Sequence, residues 1–378
     1  MNVLGFLLGA LFFQSQWIKV PLDHQNPESR KISIEYMLTR PFDPDKKTII
    51  THDDPFDYYF GLGDLLHLPS EDFNVIRIHG RYFSSDLQDF FDENPAITLE
   101  NNYRWLSRYQ VIQDLEWIRK EILGENPAIL LGFGSSAGLI HYYLHEYPSH
   151  VEKVVSLNPF LLDIPKNLRF WNLLGGFEEL IDNQSSELVL KFSTKSSEPY
   201  FFLDKSIRDS LFLKKFNEFN QDQNLNEPIF NSLGFTVRAF EHFIDMDKKN
   251  LGPLGEFLSQ TSLELMEASS FEKSKIEGTN YDMGKMYSSK IIIIGGVYNL
   301  LLDPKSFDII GEFYPNSNVF LLKDGFGFTE TQGAGIWKEL LITFCSENVQ
   351  DQVQLYRRLQ QLDLLFQEKN YNSIRVGK

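Results

Sequence analysis

The sequence predicts a mostly parallel, doubly wound α/β sheet interrupted by a mainly helical insertion. Three observations carry that expectation. Short strand-type runs recur along the chain, amphipathic helical patterns separate many of them, and one long middle stretch breaks the rhythm. With 378 residues, 42% of them hydrophobic and 33 of them Phe, there is ample material for a packed core. The length suits either two modules or one large α/β fold.

Taken in order, residues 3–13 are an uninterrupted small and apolar run, followed by Gln14-Ser15-Gln16 and then Trp17, where patterned sequence begins. The run suits a signal-peptide core and is too short to cross a bilayer. Residues 1–16 are therefore expected to be a leader and the protein to be exported, periplasmic or extracellular. No later segment reaches about 18 apolar residues without charges, so the chain is not expected to span a membrane.

Strand-type runs follow at 31–38, 47–51, 74–79, 128–133, 151–157, 290–295 and 318–322. Several are continuously apolar, as strands buried on both faces should be. Residues 103–122 place Leu106, Tyr109, Ile112, Leu115, Ile118 and Ile122 on one helical stripe that Asn126-Pro127 stops. Residues 161–288 are rich in Phe, Leu, Asn and Glu, with a strand expected only at 187–192 and a polar segment at 217–228. They are read as a helical cap between two parts of one core, 17–160 and 289–345. At the end, 349–367 carries Val353, Leu355, Leu359, Leu362, Leu365 and Phe366 among polar residues. That pattern predicts an amphipathic surface helix within a tail of 346–378.

Composition excludes several classes of function. The 36 Lys plus Arg stand against 52 Asp plus Glu, and a formal charge of −16 repels phosphate backbones, so no nucleic-acid partner is expected. Cys345 is the only cysteine, which excludes an intramolecular disulfide and the multi-cysteine zinc sites. No cofactor is implied.

The most informative local feature is Ala128-Ile129-Leu130-Leu131-Gly132-Phe133-Gly134-Ser135-Ser136-Ala137-Gly138, a strand entering a small-residue turn and then a helix. Such a turn is the setting of a nucleophile elbow, and Gly134-Ser135-Ser136-Ala137-Gly138 satisfies G-x-S-x-G with Ser136 at its centre. Around it the chain resembles α/β-hydrolase serine peptidases of the prolyl type, the Pro-X carboxypeptidase and dipeptidyl peptidase family and the bacterial tripeptidyl aminopeptidases. The resemblance lies in Val20-Pro21-Leu22-Asp23-His24-Gln25-Asn26-Pro27, in Arg81-Tyr82-Phe83, in 110–117, and in Tyr142-Tyr143 and Tyr147-Pro148 followed by Val151. It covers 17–160 well and 290–344 plausibly, and it implies an α/β-hydrolase fold with an inserted helical cap.

The same landmarks put Gly134 where these peptidases carry the nucleophilic serine, and a glycine has no oxygen with which to attack a carbonyl. The acid position falls on Asn299, which can hydrogen-bond a histidine but cannot stabilise an imidazolium by charge. The histidine position falls on Phe326 or Phe328. All eight histidines (His24, His52, His67, His79, His141, His145, His150 and His242) precede Asn299, against the chain order of nucleophile, acid, histidine. Where the resemblance implies a small oxyanion turn, the chain has His52-Asp53-Asp54-Pro55, whose carboxylates would oppose developing negative charge.

No metal site is expected: His52, Asp53 and Asp54 read as a solvated loop, and His141 and His145 as an exposed helical pair. Phe201, Phe202, Phe212, Phe216, Phe219, Phe240 and Phe243 of the cap read chiefly as packing. His79-Gly80-Arg81 replaces a Glu-His-Arg of the resembled family, so a role for that Glu in binding a substrate terminus does not carry over. The reading is thus a catalytically inactive hydrolase-fold protein with no intact triad, keeping an elbow pocket for a peptide, a small molecule or a protein partner. The alternative is an active serine exopeptidase for short Pro-containing peptides, with Ser136 as nucleophile and Asp303 as acid.

Overall fold

The computed structural model describes residues 13–39, 41–59, 72–94, 99–161, 203–222, 233–243, 289–314, 316–346 and 348–370, with scattered positions between 164 and 198 and Tyr287. Strands are β1 (Phe13–Pro21), β2 (Lys31–Thr39), β3 (Thr48–His52), β4 (Asn74–Ile78), β5 (Ala128–Phe133), β6 (Val151–Leu157), β7 (Lys290–Gly296), β8 (Ser317–Leu322) and β9 (Leu365–Asn370). Helices are α1 (Pro55–Tyr59), α2 (Ser85–Glu93), α3 (Leu99–Leu106), α4 (Arg108–Leu123), α5 (Gly134–Glu146), α6 (Lys205–Asp222) and α7 (Leu233–Phe243). After β7 come α8 (Lys305–Phe313), α9 (Thr329–Gly333), α10 (Trp337–Cys345) and α11 (Val349–Gln361).

The strands form one sheet in the order β1-β2-β4-β3-β5-β6-β7-β8-β9. From β4 to β8 every neighbouring pair is parallel, while β1, β2 and β9 are antiparallel to their neighbours. Central strands are buried along their length, including Ile49 and Ile50, Ile129 to Leu131, Val154 and Val155, and Ile291 to Ile294. Continuous apolar runs are what a sheet covered on both faces requires. Helix α5 packs on β5 and β6, α8 on β7 and β8, and α10 on β6. Lys153 of β6 is buried, and its ammonium donates to the carbonyls of Phe344, Cys345 and Ser346 at the end of α10. That ion pays for its burial by satisfying carbonyls that a helix terminus leaves open.

The motifs behind the family resemblance form a buried brace. Arg81, fully buried, pairs with Asp114 of α4 at 2.6 and 2.8 Å and donates to the carbonyls of Leu22 and Trp105. His24 closes on the same carboxylate at 2.7 Å, and Asp23 accepts from Gln110 at 2.9 Å. One cluster thereby ties the end of β1, the end of α3 and the middle of α4.

Three expectations differ from the structure. The helix expected over 103–122 is broken at Ser107, whose ψ of 154° is extended, so α3 and α4 are separate and Tyr109 is exposed. In the segment 187–192, Leu188 and Phe192 are helical, not extended, and they pack with Phe212, Phe216 and Leu300 in a second small core. The helix expected over 349–367 stops at Gln361: Asp363 takes a left-handed φ of 54°, Leu364 turns inward, and β9 completes the edge of β8. An unpaired β8 edge would leave backbone groups open, and β9 supplies their partners. At the other edge, Phe13 to Gln16 pair with Thr39 to Tyr36 as the start of β1, inside the segment read as a leader, whose residues 1–12 lie outside the described residues. Side chains of Phe201, Phe202, Phe240 and Phe243 also lie outside them.

Candidate functional site

The elbow is built where β5 enters α5. Gly134 has φ +54°, a left-handed conformation that costs a residue with a Cβ about 1–2 kcal/mol. A Cβ on Gly134 would lie 2.5 Å from Asp57 Oδ1 and 3.1 Å from Phe326 Cζ. The space next to this turn is therefore filled by a carboxylate from α1 and a ring from the loop after β8.

Asp57 is the central residue that sequence reasoning missed. Its two oxygens accept from the backbone N–H groups of Ser135 and Ser136, each at 2.9 Å. The first turn of a helix leaves such N–H groups without intrahelical acceptors, and an anion there is favoured. In a hydrolase elbow the N–H after the nucleophile is an oxyanion donor. Here the first N–H groups of α5 are engaged by the chain's own Asp57. Burial, and then the neighbouring Asp54, push the Asp57 pKa well above the usual carboxylate range, against the opposing pull of the Ser136 and Ser135 N–H groups and Arg238.

Helix α7 covers this arrangement. Its Arg238, 2% exposed, donates from Nε to Asp54 Oδ2 at 2.7 Å and from Nη2 to Ser135 Oγ at 2.7 Å, and it pairs with Glu241. Burial alone would lower the Arg238 pKa, but Asp54 and Glu241 hold it well above its ordinary value. Glu241 also accepts from the Tyr103 hydroxyl and the Arg108 N–H, both at 3.1 Å, which binds α7 to α3 and α4. His242 Nε2 lies 2.7 Å from Ser135 Oγ, with its ring between Phe56 and Phe160 at centroid distances of 4.8 and 4.7 Å.

The positions singled out in the sequence fall as follows. Ser136 is 1% exposed, and its hydroxyl donates to the Phe133 carbonyl at 2.9 Å and accepts from the Phe133 N–H at 3.0 Å. Asn299 is buried, its Oδ1 accepting from the N–H groups of Leu301 and Leu302 in a local turn. Asp303 accepts from the Lys305 N–H at the start of α8. Phe326 and Phe328 pack edge-on against Phe133 at 5.1 and 6.2 Å, and Asn158 donates to the Phe326 carbonyl at 2.6 Å. Of these, Ser136 and Phe326 gather around Gly134. Among the described residues no hydrogen bond joins Asn299 or Asp303 to the elbow.

Two local expectations need correction. His52, Asp53 and Asp54 are not a solvated loop: they are 1%, 3% and 1% exposed. Asp53 is held by Arg77 at 2.9 Å and His79 at 2.6 Å, and Asp54 by Arg238, because the chain end of β3 lies under α7 rather than at the surface. His141 is not exposed either. It is buried against Tyr314, whose hydroxyl lies 2.8 Å from Nδ1, and burial pushes its pKa down to about 3. His145 meets the Tyr287 hydroxyl at 2.8 Å. At the elbow the described side chains are enclosed. Ser135, Ser136, Phe326 and His242 are all at most 2% exposed, because α7 and the loop after β8 close over them.

No family model matches the chain, and no curated protein matches it. Among solved structures it is similar to a probable hydrolytic enzyme from Pseudomonas aeruginosa, at 13% identity over 88% of this chain and 94% of that one, with a TM-score of 0.47. It is similar also to the 2-hydroxy-6-oxo-6-phenylhexa-2,4-dienoate hydrolase of a Rhodococcus species, at 11% identity over 88% and 99% of the two chains and a TM-score of 0.48. A third is an alpha/beta hydrolase enzyme from a deep-sea metagenome library, at 13% identity over 84% and 96% and a TM-score of 0.44. These likenesses are distant, and the assignment rests on the sheet itself. Its strand order, its antiparallel second strand and the strand–turn–helix at Gly134 are those of the α/β-hydrolase fold.

Proposed function

We propose that this chain is a hydrolase-fold protein that performs no hydrolysis at its elbow. In this reading it is an exported relative of prolyl-type serine peptidases, kept for binding a peptide, a small molecule or a protein partner. One observation carries the reading: Asp57 accepts both N–H groups at the start of α5, beside a glycine where a nucleophile would stand. A carboxyl group in that place takes up the N–H donors that the negative charge developing in acyl transfer would need. Asn299, Phe326 and Phe328 are engaged in turns and packing, which supports a triad lost at all three positions. Binding is then expected outside the closed elbow.

A second reading is favoured by the 2.7 Å contact between Ser135 and His242, a distance suited to a serine and its general base. It meets an internal conflict. The helix that supplies His242 also covers Ser135, so moving α7 to admit a substrate withdraws the base. The exopeptidase reading through Ser136 meets another, since that hydroxyl is committed to both backbone groups of Phe133.

Incubating the purified protein with p-nitrophenyl butyrate and with fluorogenic Pro-containing peptides tests the proposal. The expected turnover equals that of the Ser135→Ala and Ser136→Ala variants. Turnover that either substitution abolishes would overturn it.

A further inference from the structure

A second group of buried polar atoms lies beside the hydrogen-bonded network of the elbow and, among the described residues, makes no hydrogen bond to it. His52 ends β3 at 1% exposure, and neither of its ring nitrogens has a hydrogen-bond partner among the described residues. The Tyr82 hydroxyl, in the short turn Arg81–Phe83, is likewise buried and unpartnered among them. The two rings meet edge to face with centroids 6.4 Å apart. Burial pushes the His52 pKa down to about 4, against the pull of Asp54 and Asp53, so near neutral pH the ring is uncharged and offers one donor and one acceptor. Burial raises Tyr82 well above its usual value, so its hydroxyl keeps its proton.

Interiors pair nearly all such atoms with protein or with ordered water, because an unmade hydrogen bond forfeits the whole cost of desolvation. The surroundings are shaped around this pair. Gly80, at φ +77°, makes room for the imidazole: a Cβ there would lie 2.6 Å from His52 Nε2. Tyr82 also lines a recess of about 210 Å³ together with Phe83, Ser84, Leu87, Phe91 and Leu106.

We propose that His52 and Tyr82 form a binding site for one small neutral molecule that both donates and accepts hydrogen bonds, water in the resting protein. The site bridges β3 to the turn that follows β4, and it stands whether or not the elbow is inert. A bridging molecule satisfies several buried atoms at once, which is how internal waters earn their place.

Thermal unfolding of Tyr82→Phe, His52→Leu and the double variant tests this. With a shared bridge, each single change lowers the unfolding midpoint, and the double variant unfolds no lower than the worse single one. A dry pair gives the opposite sign, since removing an orphaned polar atom raises the midpoint and the two effects add; either result overturns the proposal. In the wild-type protein, magnetisation transfer from a slowly exchanging water to ring protons of His52 or Tyr82 is expected. Its absence overturns the proposal whatever the variants do.

Discussion

Gly134 holds a left-handed conformation, and Asp57 and His52 hold protonation states set by their burial. Gly134→Ser puts a Cβ into a left-handed turn, at about 1–2 kcal/mol, and 2.5 Å from Asp57 Oδ1. The expected outcome in chemical denaturation is a loss of that size or more, with no gain in ester turnover. For Asp57 the folded pKa is raised, so its contribution to stability is complete below the unfolded value of about 3.8 and is lost as pH rises through the folded value. Asp57→Asn should therefore show a shallower loss of stability on raising the pH than the wild type does. His52 has the opposite sign. Its pKa falls from 6.5 to about 4, so stability is complete above 6.5 and drains away as pH falls through 4. The gap corresponds to roughly 3 kcal/mol, and His52→Leu should remove much of the wild type's acid sensitivity between pH 6.5 and 4 in denaturant titrations.

At the scale of elements, two joints are held by single residues. Arg81 braces β1, α3 and α4 through Asp114, and removing one partner leaves a buried charge unpaired, which costs about 3–5 kcal/mol. Arg81→Met should show a loss of that order, and Arg81→Met with Asp114→Asn should recover a large part of it. Asp363 sets the turn from α11 to β9 at φ 54°, so Asp363→Gly should be neutral or mildly stabilising, whereas Asp363→Val should cost about 1–2 kcal/mol in the same measurement. This turn also explains why β9 was illegible in the sequence. Leu362, Leu365 and Phe366 continue the three-and-four spacing of Leu355 and Leu359, so periodicity alone carries the helix past its end. In the same way β1 was hidden, because Phe13 closes an apolar run and Gln14 to Gln16 read as its polar boundary. The interior strands were legible, since runs such as Ile291 to Ile294 are short, continuously apolar and bounded by turns.

Across the whole molecule, local signals and distant contacts divided the site. The elbow could be found because strand, turn and helix are contiguous, and Gly134 at its tip follows from that register. What fills the elbow could not, since Asp57 and Ser135 are 78 positions apart and Ser135 and His242 are 107 apart. Arg238, Glu241 and His242 look in the sequence like scattered polar residues of one cap helix. Only packing turns them into the buried network around Ser135. The α/β-hydrolase sheet is thus present while the N–H groups at the start of α5 are engaged by the chain's own carboxyl group. A fluorophosphonate probe reads the consequence most directly. Intact-mass analysis of the folded protein after exposure to the probe should show no adduct. An adduct that disappears in Ser135→Ala or Ser136→Ala would contradict the account.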